Sequence, residues 1–313
     1  MWFHNTPDIN SGLIRKSIQW LWAIIGGVIL MVLFVFMWLL SSDLPGFEEL
    51  ENPRYDLASV IYDVHGTPFG RYFVENRIPV EYGELSDHIK NALLSTEDDR
   101  FYKHAGIDLR ALLRVGFKTV ILRKEHSGGG STITQQLAKL LFSRKNIADK
   151  SGISRSAALV IVKLREWIVA VRLERRYTKE EIMAMYLNKF EFINGAHGIQ
   201  AAAQIYFGKD QADLELSEAA TLIGMLKNPS LYNPVRFIQR CVERKNVVLG
   251  LMKDHGYLSK TEWEAELSKP VDMSAFRQSQ QSDGPAPYFR AELTKWLKAV
   301  LDQPHIRKAD GSA

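Results

Sequence analysis

The sequence predicts a mainly α protein with one small β-hairpin, preceded by a single membrane-spanning helix. Three observations carry this. Ile18 to Leu40 is a run of 23 residues without a charge. Two short β-prone runs, Ala58 to Val64 and Phe69 to Val80, flank His65-Gly66-Thr67-Pro68 and read as a hairpin. Beyond them apolar residues recur at helical spacing almost throughout. With 313 residues and 46% hydrophobic content, the chain holds one large or two ordinary domains plus an appendage. Its net charge of +4, from 40 basic and 36 acidic residues, is too mild to argue for a nucleic-acid partner. One cysteine, Cys241, excludes an intramolecular disulfide and a Cys-rich metal site, and it is assigned no role.

Residues 1–17 are short, polar and weakly basic, and are expected to be a cytoplasmic tail. As a helix, residues 18–40 span roughly 35 Å, enough for a bilayer core of about 30 Å. Trp20 and Trp22 lie at one end and Trp38 at the other, as interfacial anchors do. Arg15 and Lys16 precede the run, and the next basic residue is Arg54. The positive-inside bias therefore places the N-terminus in the cytoplasm and everything after Leu40 outside. A buried soluble helix rarely runs this long without a polar residue near its centre. A cleaved signal peptide has a shorter apolar core and a small-residue cleavage site. An uncleaved anchor in the cytoplasmic (inner) membrane is the expectation, with residues 41–56 as an acidic connector.

The globular part is expected over residues 57–268. Leu85, Ile89, Leu93 and Leu94 have helical spacing and lead to Glu97. Residues 108–123 read as an amphipathic helix. After Gly128-Gly129-Gly130, Ser131 is a good N-cap for the next helix. Residues 156–175 are apolar nearly all round and read as a central buried helix. Thr178 and Glu181 form a capping box at the start of another. Residues 199–207 are a small-residue helix ended by Gly208, residues 217–226 a further one with a serine N-cap, and residues 235–255 a basic amphipathic one. Residues 261–267 are a short helix and residues 288–301 a last one, joined by a linker rich in Ser, Gln, Gly and Pro.

Three clusters carry chemistry. Glu97, Asp98 and Asp99 crowd together before Phe101, His104 and Gly106, and like charges raise a carboxyl's pKa toward the range of a general acid or base. The plainer alternative is a helix end with acidic residues in solvent. Thr132, Gln135, Gln136 and Lys139 make one polar stripe at helical spacing, over a helix start whose free N–H groups favour an anion. That predicts an oxyanion or sugar site, against an ordinary solvated face. Lys163 and Glu166 lie three residues apart on one helix face. They are either an ion pair at the edge of the core or a charged pair facing a cleft.

Five segments in order then resemble the peptidoglycan glycosyltransferases, the lysozyme-like family 51 domain of class A penicillin-binding proteins and monofunctional transglycosylases. Glu97-Asp98-x-x-Phe101-x-x-His104-x-Gly106 resembles the first motif. Gly129-Gly130-Ser131-Thr132-Ile133-Thr134-Gln135-Gln136-Leu137-x-Lys139 resembles the second, and Lys163-x-x-Glu166 the third. Residues 177–188 and 195–209 resemble the fourth and fifth. Val162 stands where the family usually has an arginine before the lysine, and Leu140 where it usually has an asparagine.

The resemblance implies a lysozyme-like glycosyltransferase domain that polymerises Lipid II. A growing glycan on a polyprenyl pyrophosphate is the donor and Lipid II the acceptor. Glu97 is the general base that takes the proton of the acceptor's 4-hydroxyl. That oxygen attacks the anomeric carbon with inversion, forms a β-1,4 bond and releases the lipid pyrophosphate. Lys139, Lys163, Ser131 and Thr132 hold the leaving pyrophosphate. Glu166 is the second catalytic carboxylate, acting through a divalent cation, Mg or Mn, or by orienting Lys163. Phe101, His104, Gln135 and Gln136 shape the donor site. The implied partners are Lipid II, the lipid-linked glycan, the membrane and cell-wall synthesis proteins.

Residues 283–290 resemble the stretch that joins the glycosyltransferase and transpeptidase domains of class A proteins. No Ser-x-x-Lys motif occurs, so no transpeptidase site is expected here. Residues 269–313 are therefore expected to be a linker and the start of a further C-terminal region. Two rival functions are a lysozyme-like hydrolase, which often needs a second carboxylate near the first, and a non-catalytic cell-wall scaffold.

Overall fold

The computed structural model describes residues 15–27, 30, 59–62, 64–66, 68–72, 78–114, 130–141, 155–277 and 287–301. Residues 15–27 are helical, and most of the expected anchor, its tail and the connector lie outside the described residues. Among the described residues no helix is long and apolar enough to cross a membrane.

Strands β1 (Ser59–Tyr62) and β2 (Pro68–Tyr72) pair antiparallel, with Ser59 opposite Tyr72 and Ile61 opposite Gly70. Gly66 sits between them at φ 78°. Of the second expected strand, residues 73–77 lie outside the described residues and residues 78–80 are not in the sheet; Val80 is bonded elsewhere. Its backbone N–H donates to Asn188 Oδ1 at 3.0 Å, and Asn188 Nδ2 donates back to its carbonyl at 2.8 Å.

Helix α1 (Asp87–Glu97) starts at Ser86, whose hydroxyl accepts from Ile89 N at 3.3 Å. It buries Ile89, Ala92 and Leu93 and ends where Asp98 turns extended at φ −160°. A 3-10 turn, Phe101–Lys103, follows. Residues 109–114 are helical. Asp108 Oδ1 caps them by accepting from Arg110 N and Ala111 N at 2.9 and 3.1 Å. The rest of the helix expected over residues 108–123 lies outside the described residues.

Helices α2 (Ile133–Leu141), α3 (Arg155–Arg176) and α4 (Lys179–Lys189) form one packed group. Both halves of the Thr178–Glu181 capping box are present. Helix α5 (Ile199–Phe207) ends at Gly208, which adopts the left-handed conformation at φ 65°. Helix α6 (Leu216–Met225) packs with α1 and α7 (Ile238–Asp254), and α8 (Lys260–Ser268) lies on α7. Helix α9 (Pro287–Leu301) is the last.

Three expectations change here. Helix α6 is capped by Glu215, not by Ser217: Glu215 and Glu218 satisfy each other's backbone N–H. Helix α3 is not buried along its length. Leu159 and Val160 are 60% and 59% exposed, and only its C-terminal half packs inward, through Ile168, Val169, Ala170 and Leu173. The helices buried throughout are α5 and α6, whose alanines allow close approach. The folded unit also runs past residue 268. Val271, Met273 and Phe276 pack against the core, and the Phe276 ring lies 5.7 Å from that of Tyr206. Those three residues are the apolar ones in an otherwise polar stretch, and burial is what they gain by docking.

Candidate active site

Glu97 is the last residue of α1, where a carboxylate sits against the negative end of the helix dipole. It is half-buried and answered by one donor. Gln136, one turn into α2, donates from Nε2 to Glu97 Oε2 at 2.8 Å. The orientation of that amide is set from below, because the Tyr186 hydroxyl donates to Gln136 Oε1 at 2.9 Å. Tyr186 comes from α4 and is fully buried. Burial holds its hydroxyl well above the ordinary tyrosine range, and the negative charge of Glu97 adds to the effect. Tyr186 therefore stays a neutral donor.

The neighbouring carboxylates separate by role. Asp99 is exposed, whereas Asp98 is buried and fixes structure. His104 Nε2 lies 3.1 and 3.0 Å from its two oxygens. Oδ2 also accepts from the backbone N–H of Ile133, the first residue of α2, at 3.1 Å. The anion at the start of α2 is thus the protein's own carboxylate. This corrects the expectation of free N–H groups there. A second N–H, that of Gln135, is taken by Thr132 Oγ1 at 3.1 Å, so Thr132 caps the helix and Ser131 does not.

Thr132 and Gln135 are not part of an open polar stripe. Both are buried, and both donate to the Gly106 carbonyl, at 2.7 and 3.2 Å. Phe101 is fully buried, and the His104 side chain is 5% exposed. In this conformation these four support the site from behind and do not line it. Gln136 is half-buried and Lys139 is exposed, about one turn further along α2.

Gly106 explains why the loop lies so close to α3. At φ 85° it occupies backbone space open to glycine, and a Cβ there would stand 3.0 Å from the carbonyl carbon and oxygen of Ala170. Lys179 ties the same loop to α4. Its ammonium donates to the His104 carbonyl and to Glu174 Oε1, both at 2.7 Å, and lies 4.4 Å from the centre of the Phe101 ring.

Ser131, Lys163 and Glu166 do come together. Lys163 Nζ donates to Ser131 Oγ at 2.8 Å and to Glu166 Oε2 at 3.0 Å. Glu166 is 7% exposed, while the Lys163 side chain keeps 38% of its surface open. The pair is therefore both an ion pair and a cation presented beside the entry of α2. Among the described residues no group of three or more His, Cys, Asp or Glu could hold a metal ion. Mg²⁺ is commonly held by one or two carboxylates together with substrate phosphates. Glu166 fits that mode only in company with such a substrate.

Residues assigned no site role from the sequence are Asp98 as a tether, Glu174, and Lys179 and Tyr186, both of which lie in the segment resembling the fourth motif. The available signal was Tyr186 and Lys179 sitting seven residues apart on α4, hence on one helix face. The arrangement amounts to one half-buried carboxylate held by an oriented amide, with cations offered along and beside the same helix.

The transglycosylase family model matches residues 65–253. Penicillin-binding protein 1A of Pseudomonas aeruginosa is 34% identical over 285 residues, covering 89% of this chain and 33% of that protein. Penicillin-binding protein 1A of Aquifex aeolicus is 34% identical over 264 residues, covering 82% of this chain and 35% of that protein. Penicillin-binding protein 1A/1B of Bacillus subtilis is 36% identical over 314 residues, covering 96% and 32%. The chain thus spans about a third of the length of these curated relatives. A crystal structure of penicillin-binding protein 1A from Haemophilus influenzae aligns at TM-score 0.44 and 23% identity, over 81% of this chain and 26% of that one, and the assignment does not rest on it. The family match spans the helices that carry Glu97, Gln136, Lys163 and Tyr186, and with relatives of this identity the chain belongs to the transglycosylase family.

Proposed function

We propose that this chain is a membrane-anchored peptidoglycan glycosyltransferase of bacterial cell-wall synthesis. It joins a lipid-linked glycan donor to Lipid II through β-1,4 bonds, with its catalytic domain outside the cytoplasmic membrane and its N-terminus inside. The observation that carries this is Glu97, half-buried and held as an acceptor by Gln136 Nε2 at 2.8 Å. With one oxygen held by Gln136, its other oxygen is placed to take a proton from a substrate hydroxyl, as a general base does. Glu97 takes the proton of the acceptor's 4-hydroxyl as that oxygen bonds to the donor's anomeric carbon. The bond from that carbon to the pyrophosphate oxygen breaks, and its electron pair leaves with the lipid pyrophosphate.

Lys163 and Lys139 answer the charge that develops on the leaving group. Glu166 keeps Lys163 in place. A divalent cation, when bound, would neutralise the same phosphates. The Asp98 carboxylate is committed to His104 and α2, so it does not supply the second catalytic carboxylate that a hydrolase commonly places near the first.

The test is incubation of the full chain with Lipid II, read as polymer on a gel, beside incubation with finished peptidoglycan. Polymer should form, and Glu97→Gln should lower its rate by at least about 100-fold. Muropeptide release without polymer would instead mark a hydrolase, and an active Glu97→Gln a different base. If EDTA abolishes activity and Mg²⁺ or Mn²⁺ restores it, Glu166 works with a cation. If EDTA has no effect, Glu166 works through Lys163.

A further inference from the structure

We infer that Tyr186 is a positioning residue that holds the Glu97 carboxylate in place as the base. It does so through the side-chain amide of Gln136. The inference rests on the glycosyltransferase reading and on Glu97 as its base.

An amide can present either end to a neighbour. With its NH₂ toward Glu97 it stabilises the carboxylate, and with its oxygen toward Glu97 it repels the carboxylate and favours the protonated acid. An ionised carboxylate only accepts, so Glu97 calls for the NH₂ end, and Tyr186 locks that orientation from the other side. Its hydroxyl donates to Gln136 Oε1 at 2.9 Å, which leaves Nε2 to face Glu97 Oε2 at 2.8 Å. The tyrosine is fully buried and its pKa is raised, so it does not surrender that proton near neutrality.

With Oε2 occupied by Gln136, the oxygen left for a substrate proton is Oε1. During transfer the proton moves from the acceptor hydroxyl to Oε1, while the hydrogen bond from Gln136 to Oε2 persists. Glu97 thus changes charge without the amide having to flip, and the site need not reorganise during the step. The path runs from α4 through α2 to α1, so side chains from three helices meet at one carboxylate.

The experiment uses the full chain and the pH dependence of kcat/KM for Lipid II polymerisation. Tyr186→Phe keeps the buried ring and removes only the hydroxyl. It should lower kcat about tenfold, with KM little changed, and move the acid limb of the profile to higher pH. Gln136→Glu puts a second carboxylate against Glu97, and should move the same limb further in the same direction. Circular dichroism and thermal unfolding are recorded for both.

A Tyr186→Phe protein with reduced rate or stability but an unmoved acid limb would show a merely structural tyrosine and overturn the inference. Should Tyr186→Phe prove too unstable, Gln136→Glu decides alone, and an unmoved limb there overturns it equally. Glu97→Gln is run in parallel. If that variant polymerises normally, the base assignment itself fails. If it is inactive while the limbs of the other two stay in place, only the role of Tyr186 fails.

Discussion

At the scale of single residues, the site depends on atoms that never meet substrate. Gly106 is the clearest case. Its carbonyl accepts from both Thr132 and Gln135, and its α-carbon lies against the backbone of Ala170. Gly106→Ala adds a methyl 3.0 Å from backbone atoms that have no side-chain freedom to yield, at a φ of 85°. The expected cost is about 1–3 kcal/mol, read as a lower urea midpoint with unchanged slope. Activity should fall as well, because the displaced carbonyl no longer positions the start of α2. Phe101 shows the other side of this dependence. It is fully buried, so its contribution is packing under Lys179, worth about 1.5–3 kcal/mol by burial.

At the scale of elements, the tether between α1 and α2 decides how the two meet. Asp98 accepts from the first backbone N–H of α2 and from His104 at once. Asp98→Ala leaves a buried donor without a partner and is expected to destabilise the fold by about 1–3 kcal/mol. Activity should drop more than stability alone explains, since Gln136 rides on α2. A polymerisation assay well below the melting temperature separates the two effects. The tether also shows what was legible beforehand. The Thr178–Glu181 capping box could be read because its signal lies within one turn, and the helix stop at Gly208 for the same reason. The identity of the α2 cap could not. Ser131 and Thr132 are equally good caps locally, and the choice falls to Thr132 because the Gly106 carbonyl, 26 positions away, holds its hydroxyl. Likewise the acidic triplet could be read as a cluster, but only tertiary packing leaves Glu97 half-buried, Asp99 exposed and Asp98 in the interior. The exposure of Leu159 and Val160 was illegible for a related reason. A helix that is apolar all round says nothing about which part finds a partner.

At the scale of the molecule, the core is continuous from α1 through α6 and α7 to residues 271–276. Cys241 on α7 reports on it. The thiol is buried, and that burial pushes its pKa up to about 12, so little thiolate forms near neutrality. A thiol reagent should therefore react with the native protein only through unfolding, and the labelling rate should follow the fraction unfolded in urea. Labelling at the rate of a free cysteine in native buffer would show that α7 opens alone. One contact at the edge of this core fixes where the chain enters it. Val80 is gripped by the Asn188 side chain through two hydrogen bonds before the chain enters α1. Under the proposed anchored arrangement the clasp works as a strain relief, like the collar where a cable enters a plug: a pull reaching Val80 is shared with α4 as well as α1.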